Sequence, residues 1–168
     1  APGIISTGKN EHLTPTFSPD GTECFWSLWD QGVQYIYSTK IIDGFWTKPN
    51  IAQFNGIVRE DSPYFSPDGR RLYFHPKRPL PGEKKLNDNW DIWYAEKESD
   101  SWGIPKLACL ELNTNVDKTF ASVTRNYSIY FIALDEEKNL YKSEFKDGKY
   151  QFPQRLPESI NYDLHFSY

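Results

Sequence analysis

Much of what marks an enzyme or a nucleic-acid binder is missing from this chain of 168 residues. Only two cysteines are present, Cys24 and Cys109, in the apolar runs ECFWSL and LACLEL. No CxxC or comparable spacing accompanies them, so no metal site can be read from them. Both read as buried thiols, because free cysteine behaves as a small hydrophobe. Positive charge is not in excess. The formal net charge is −4, and nothing resembles a basic footprint for nucleic acid. No apolar run approaches the roughly 18 residues of a membrane-spanning helix. GxSxG, phosphate-loop, HExxH and paired-acid motifs are all absent. The expectation is therefore no cofactor, no metal and no catalytic residue set. No signal peptide is recognisable, and the opening APGIISTGKNEH reads as a mature or trimmed start.

Aromatic residues, by contrast, are plentiful: 6 Trp, 11 Tyr and 11 Phe. Such side chains suit pleated, half-buried surfaces. Twelve prolines and ten glycines are spread along the chain, which argues for many short elements and against long helices. FSPDG occurs at Phe17 to Gly21 and again at Phe65 to Gly69, inside TPTFSPDGTECFWS and SPYFSPDGRRLYFH. TFASVTRNYSIYFI (119–132) is a degenerate third copy, with Asn126 near the glycine's place. An aromatic run follows each copy: QYIYSTK, DIWYAEK and NLYKSEF. Then comes an aromatic, two residues and a proline: FWTKP, SWGIP and KYQFP. These units begin at Thr14, Ser62 and Thr119. Such a period points to a repeat architecture.

Each unit holds four strand candidates, a to d. Strand a ends at the SPDG, b is the apolar triplet, c is the aromatic run, and d carries the Trp or Tyr and the proline. The Asp-Gly pairs at 43–44 and 147–148 are hairpin signals. A proline in every strand d places d at the outer edge, because proline cannot donate to a ladder. Strands b and c are apolar on both sides, as expected when each sheet is covered by its neighbours. The fold class is all-β: a β-propeller of four-stranded antiparallel blades. The chain reads as a single partial propeller domain, with blades over about 11–55, 59–113 and 117–161 and the start of a fourth over 162–168.

FSPDGRRLYF, then DIWYAEK, Trp102, Pro105 and Leu112-Asn113, resembles the TolB-type propellers, which are WD-repeat-like and carry an SPDG turn in each blade. The resemblance covers nearly the whole chain and rests on blade-building residues. It implies a bacterial periplasmic or secreted setting and a longer parent of about six blades, since propellers close with typically four to eight.

Ser-Pro-Asp-Gly suits a β-turn: Pro presets φ, Asp bonds nearby backbone and Gly follows. Asp20 and Asp68 are thus expected to build turns and not to act as catalytic acids. A sialidase-type Asp-box is excluded, because Asp and Gly are adjacent. In an up-and-down blade the a–b and c–d turns share one face. The d–a and b–c connections share the other, where the longer, more varied segments lie. That face supplies the candidate ligand-binding residues. From the d–a connections come Glu11, His12, Arg59, Glu60, Asp61, Asp117, Lys118, Asp163 and His165, expected around the channel mouth. From the b–c connections come Trp29, Lys77, Arg78 and Trp90, the last three on the long segment HPKRPLPGEKKLNDNW (75–90). His75 stands near the same rim. The leading expectation is a non-catalytic binding propeller for a protein, peptide or glycan. A glycan-active hydrolase or lyase using His12, Glu60, Asp61 and a metal is the alternative.

Overall fold

The computed structural model describes residues 11–30, 32–54, 59–108, 116–135 and 138–161. Among the described residues, sixteen strands form three consecutive antiparallel sheets and one small hairpin beside the third, with one short helix after them. The first sheet comprises β1 (Glu11–Phe17), β2 (Glu23–Asp30), β3 (Val33–Ile42), β4 (Phe45–Trp46) and β5 (Asn50–Ile51). The second holds β6 (Glu60–Phe65), β7 (Arg71–Pro76), β8 (Trp93–Glu98), β9 (Ser101–Trp102) and β10 (Lys106–Leu107). The third holds β11 (Lys118–Val123), β12 (Ile129–Ala133), β13 (Leu140–Ser143) and β16 (Gln154–Arg155), beside the hairpin β14 (Phe145–Lys146) and β15 (Lys149–Tyr150). Helix α1 (Glu158–Asn161) follows. The fourth-blade segment at 162–168 lies outside the described residues.

Strand d is not one strand. The chain leaves strand c through a tight turn, pairs briefly, breaks at the proline, and pairs again. Thus β4 and β5 both pair with β3, with Pro49 between them. The same break falls at Pro105 between β9 and β10 on β8, and at Pro153 between β15 and β16. The backbone bonds repeat in step. Thr47, Gly103 and Gln151 donate to the carbonyls of Lys40, Glu96 and Glu144, each at 2.8 Å. Ala52, Ala108 and Leu156 donate to those of Ile36, Ile92 and Leu140. Proline lacks the N–H that a continuous ladder needs, so the outer strand is split at that residue in all three units.

The inner strand is also interrupted in every unit. Register shifts between Leu13 and Thr16, Asp61 and Tyr64, and Thr119 and Ser122. Thr14 and Ser62 take positive φ there, 46° and 53°. Buried Ser27 supports both bulges: its Oγ lies 3.1 Å from Thr14 Oγ1 and accepts the Ser62 N–H at 3.0 Å. Pro15 and Pro63 follow directly. A bulge followed by proline blunts the inner edge against pairing with a foreign strand.

Alternation along strand b sends side chains to both neighbours. Between the first two sheets, Phe25, Ile36 and Phe54 pack on Phe65, Leu72, Phe74 and Trp93. Between the second and third, Tyr73 and Ile92 pack on Val123, Ile129, Phe131 and Tyr150. Burying one such side chain fully is worth about 1.5–3 kcal/mol, so sheet stacking is the main adhesive. Arg71 adds a polar rivet to the second seam. It pairs with Glu96 at 3.1 Å, and its guanidinium lies over the rings of Tyr94, Tyr127 and Phe145 at 4.7, 4.2 and 4.9 Å. The hydroxyls of Tyr73 and Tyr150 meet there at 2.7 Å.

Candidate binding face

Each SPDG aspartate accepts hydrogen bonds from within its own turn. Ser18 Oγ donates to Asp20 Oδ1 at 2.6 Å, and the same oxygen accepts the Thr22 N–H at 2.9 Å. Ser66, Asp68 and Arg70 repeat this at 2.6 and 3.1 Å. Gly21 and Gly69 sit at φ 72° and 70°. The Ser18 and Thr22 bonds hold the Asp20 carboxyl down at about 2. In the third copy Asn126 takes the aspartate's place, accepting from Thr124 Oγ1 and the Ser128 N–H. Its neighbour Tyr127, at φ 63°, takes the glycine's place, where Asn126 was expected. A bulky residue in that region is strained. Here the phenol is anchored across the seam: its hydroxyl donates to Asp68, and Arg71 covers its ring.

Backbone bonds from Ile41 to Thr22 and from Lys97 to Arg70 bring the a–b and c–d turns to one end of the sheets. The opposite end is joined by bonds from Lys77 N to Arg59 O, Lys118 N to Trp90 O and Leu134 N to Asp117 O. A row of aromatic and cationic side chains lies at this end. Arg59 covers the Trp29 ring at 4.7 Å, and Lys77 lies over Trp90 at 5.2 Å. Arg59 and Lys77 are direct neighbours through their 3.1 Å backbone bond. The Trp90 N–H donates to Asp117 Oδ1 at 2.7 Å, which carries the row into the third sheet. All four side chains of the two cation–indole pairs are half-buried.

Glu60, Arg78 and Lys118 occupy a different environment. Glu60 is fully buried and pairs with Arg78, whose Nε donates to Oε1 at 2.8 Å. Arg78 also bonds the Phe54 carbonyl in the preceding unit. Lys118 is 1% exposed and meets Asp91 at 3.3 Å. Asn87 donates to the other oxygen of that carboxylate. Burial pushes the Asp91 carboxyl up and the Lys118 ammonium down, and each charge opposes the other's shift. These pairs lock the long b–c segment and the strand ends together. Asp61 accepts its own chain's Ser62 N–H at 2.6 Å. Opposite it, His75 is 3% exposed; burial draws its pKa down to about 4, with only the Asp61 charge opposing.

The backbones of Glu11 and His12 pair with Trp29 and Leu28, while their side chains, with Asp163 and His165, lie outside what is described. Among the described residues, no three His, Cys, Asp or Glu side chains converge to hold a metal ion. Cys24 is a buried free thiol whose pKa burial lifts to about 11; Cys109 lies outside the described residues. The candidate residues read from the sequence did not include Asp91 and Asn87, which complete the Lys118 pair. Asp91 was legible only as the first residue of the blade motif DIWYAEK, and Asn87 only as part of the long connection.

No protein-family model and no curated protein matches the sequence. Solved structures do. A protein from Agrobacterium tumefaciens assigned as TolB superposes with TM-score 0.59 at 20% identity, over 87% of this chain and 48% of that one. TolB from Acinetobacter baumannii gives 0.56 at 16%, over 86% and 32%. The fold is that of a TolB-type β-propeller. A puromycin-hydrolysing peptidase from Mycobacterium tuberculosis also superposes, with TM-score 0.57 at 19% identity, over 93% of this chain and 24% of that one. The three sheets are propeller blades, and the chain spans less than half the length of each of these structures. No helix among the described residues is long and apolar enough to cross a membrane.

Proposed function

We propose that these blades belong to a non-catalytic binding propeller of the bacterial periplasm or secreted space, completed by further blades of a longer parent chain. Its ligand, a protein, peptide or glycan, is held on the face of the d–a and b–c connections. The observation that carries this reading is the row Trp29, Arg59, Lys77, Trp90 and Asp117, half-buried on one face, while Asp20 and Asp68 of the SPDG turns at the other face each accept bonds from their own turn. The remaining candidates divide by position. Glu60, Arg78 and Lys118 set the shape of the face from below. Asp61, Glu11, His12, Asp163 and His165 are proposed at its inner rim. The blade limits 11–55, 59–113 and 117–161 are part of the same proposal.

The test is retention of envelope-derived protein, peptide and glycan fractions by the wild-type chain and by variants of each face. Trp90→Ala and Arg59→Gln are expected to lose retention with an unchanged melting temperature. Arg70→Gln and Lys146→Gln, on the turn face, are expected to keep it. The reverse pattern would sink the assignment of the face.

A further inference from the structure

Within that binding face, and resting on that reading, we propose that Arg59 and Lys77 with their tryptophans form a subsite for an acidic polysaccharide, a glycan carrying carboxylates on its sugar rings. Three observations carry it. First, Arg59 and Lys77 lie directly opposite each other just beyond the ends of β6 and β7, joined by a 3.1 Å backbone bond. Like charges so placed repel each other, and neither has a carboxylate partner among the described residues. Arg59 reaches the Gly32 carbonyl at 3.5 Å, and Lys77 the Asp88 carbonyl at 2.7 Å, so both are held in place with their charge uncompensated. Second, the neighbouring Arg78, one residue along, is neutralised by buried Glu60. The fold therefore supplies a counter-charge where it needs one for stability and omits it at the surface pair. Third, each uncompensated cation lies over an indole that is only half-buried, at 4.7 and 5.2 Å.

A uronic-acid ring matches both parts. Its axial C–H face is apolar and packs on an indole. Its carboxylate accepts hydrogen bonds from guanidinium or ammonium, and such charge-assisted bonds are the stronger kind. Two cation–indole units side by side suit two sugars of one chain. A nucleic acid would also stack, but it needs a continuous basic groove along its backbone, whereas this chain carries a net charge of −4. An acidic peptide would use the cations but offer no sugar face to the indoles.

The test is calorimetric titration of the wild-type chain with oligogalacturonate, and with a neutral malto-oligosaccharide, oligoglutamate and a short single-stranded DNA as comparators. The acidic glycan is expected to bind at least about tenfold more tightly than the neutral one, which is about what one hydrogen bond to a charged group is worth, and also more tightly than oligoglutamate and DNA, which lack the sugar face. Arg59→Gln with Lys77→Gln is expected to abolish that preference. Arg59→Lys with Lys77→Arg is expected to retain most of it, which separates lost charge from misfolding, and thermal melts check the fold. Equal binding of the neutral glycan overturns the role of the cations. Equal binding of oligoglutamate or DNA overturns the glycan. If oligogalacturonate does not bind while envelope fractions are still retained on this face, the subsite is wrong and the binding face stands. If both fail, the face itself is wrong.

Discussion

The two SPDG glycines share a conformation but not a setting. A β-carbon on Gly21 meets nothing within 4 Å, whereas one on Gly69 comes within 3.1 Å of the Pro19 ring in the preceding blade's turn. Alanine in a positive-φ position costs about 1 kcal/mol for the backbone alone. Gly21→Ala is expected to cost about that much, and Gly69→Ala more, because the turns of adjacent blades must also separate; urea denaturation of both variants measures the difference. His75 gives a pH signature. Its neutral form is favoured in the fold, with a pKa of about 4 against the ordinary 6.5. The unfolded chain therefore binds the proton first as pH falls. Stability from this group is complete above pH 6.5 and is lost between 6.5 and 4, by up to about 3 kcal/mol. His75→Leu is expected to flatten that part of the stability–pH curve, and unchanged steepness would clear His75 of the role.

At the scale of elements, the b–c segment of the second blade runs from Lys77 to Ile92 without a strand, yet it is pinned at both ends. Arg78 reaches Glu60 and the Phe54 carbonyl, and Asp91 reaches Lys118 of the next blade. Removing one partner of a buried pair leaves an uncompensated charge, at a cost of about 3–5 kcal/mol. Lys118→Met alone is expected to destabilise by that order. Lys118→Met with Asp91→Leu is expected to recover most of it, as a double-mutant cycle by chemical denaturation will show. If the single and double variants are equally unstable, the pair is not what holds these elements. The repeat in the sequence made strands a, b and c legible, because each carries its own pattern. It did not reveal that strand d is split, since a single proline is compatible with an edge strand or with a gap. The 16-residue stretch 75–90 was readable as a long connection, but the partners of Arg78 and of Asp91, just past its end, were not, because Glu60 precedes it and Lys118 lies in the next blade.

On the scale of the whole molecule, blades are held by seams. Tyr73 of the second blade and Tyr150 of the third share a hydrogen bond inside the seam that Arg71 rivets. Tyr150→Phe keeps the ring and removes the hydroxyl, leaving that of Tyr73 without this partner; a loss of about 1–3 kcal/mol is expected. Because the blades contact only their neighbours, that loss should fall mainly on the third blade. Hydrogen exchange should rise first in β12 and β13, and a uniform rise across all three blades would contradict this.

The sequence by itself determined the period, the turns and the sidedness of the blades. Those properties depend on residues adjacent in the chain: Pro-Asp-Gly for a turn, alternation for two covered faces, proline for an edge. Only the tertiary structure decided which rim residues remain at the surface. Arg59 and Arg78 look alike in sequence, as do Lys77 and Lys118. A buried carboxylate from another element claims Arg78 and Lys118, while Arg59 and Lys77 settle over Trp29 and Trp90. That difference arises from the packing of one blade against the next, over distances that no local pattern spans.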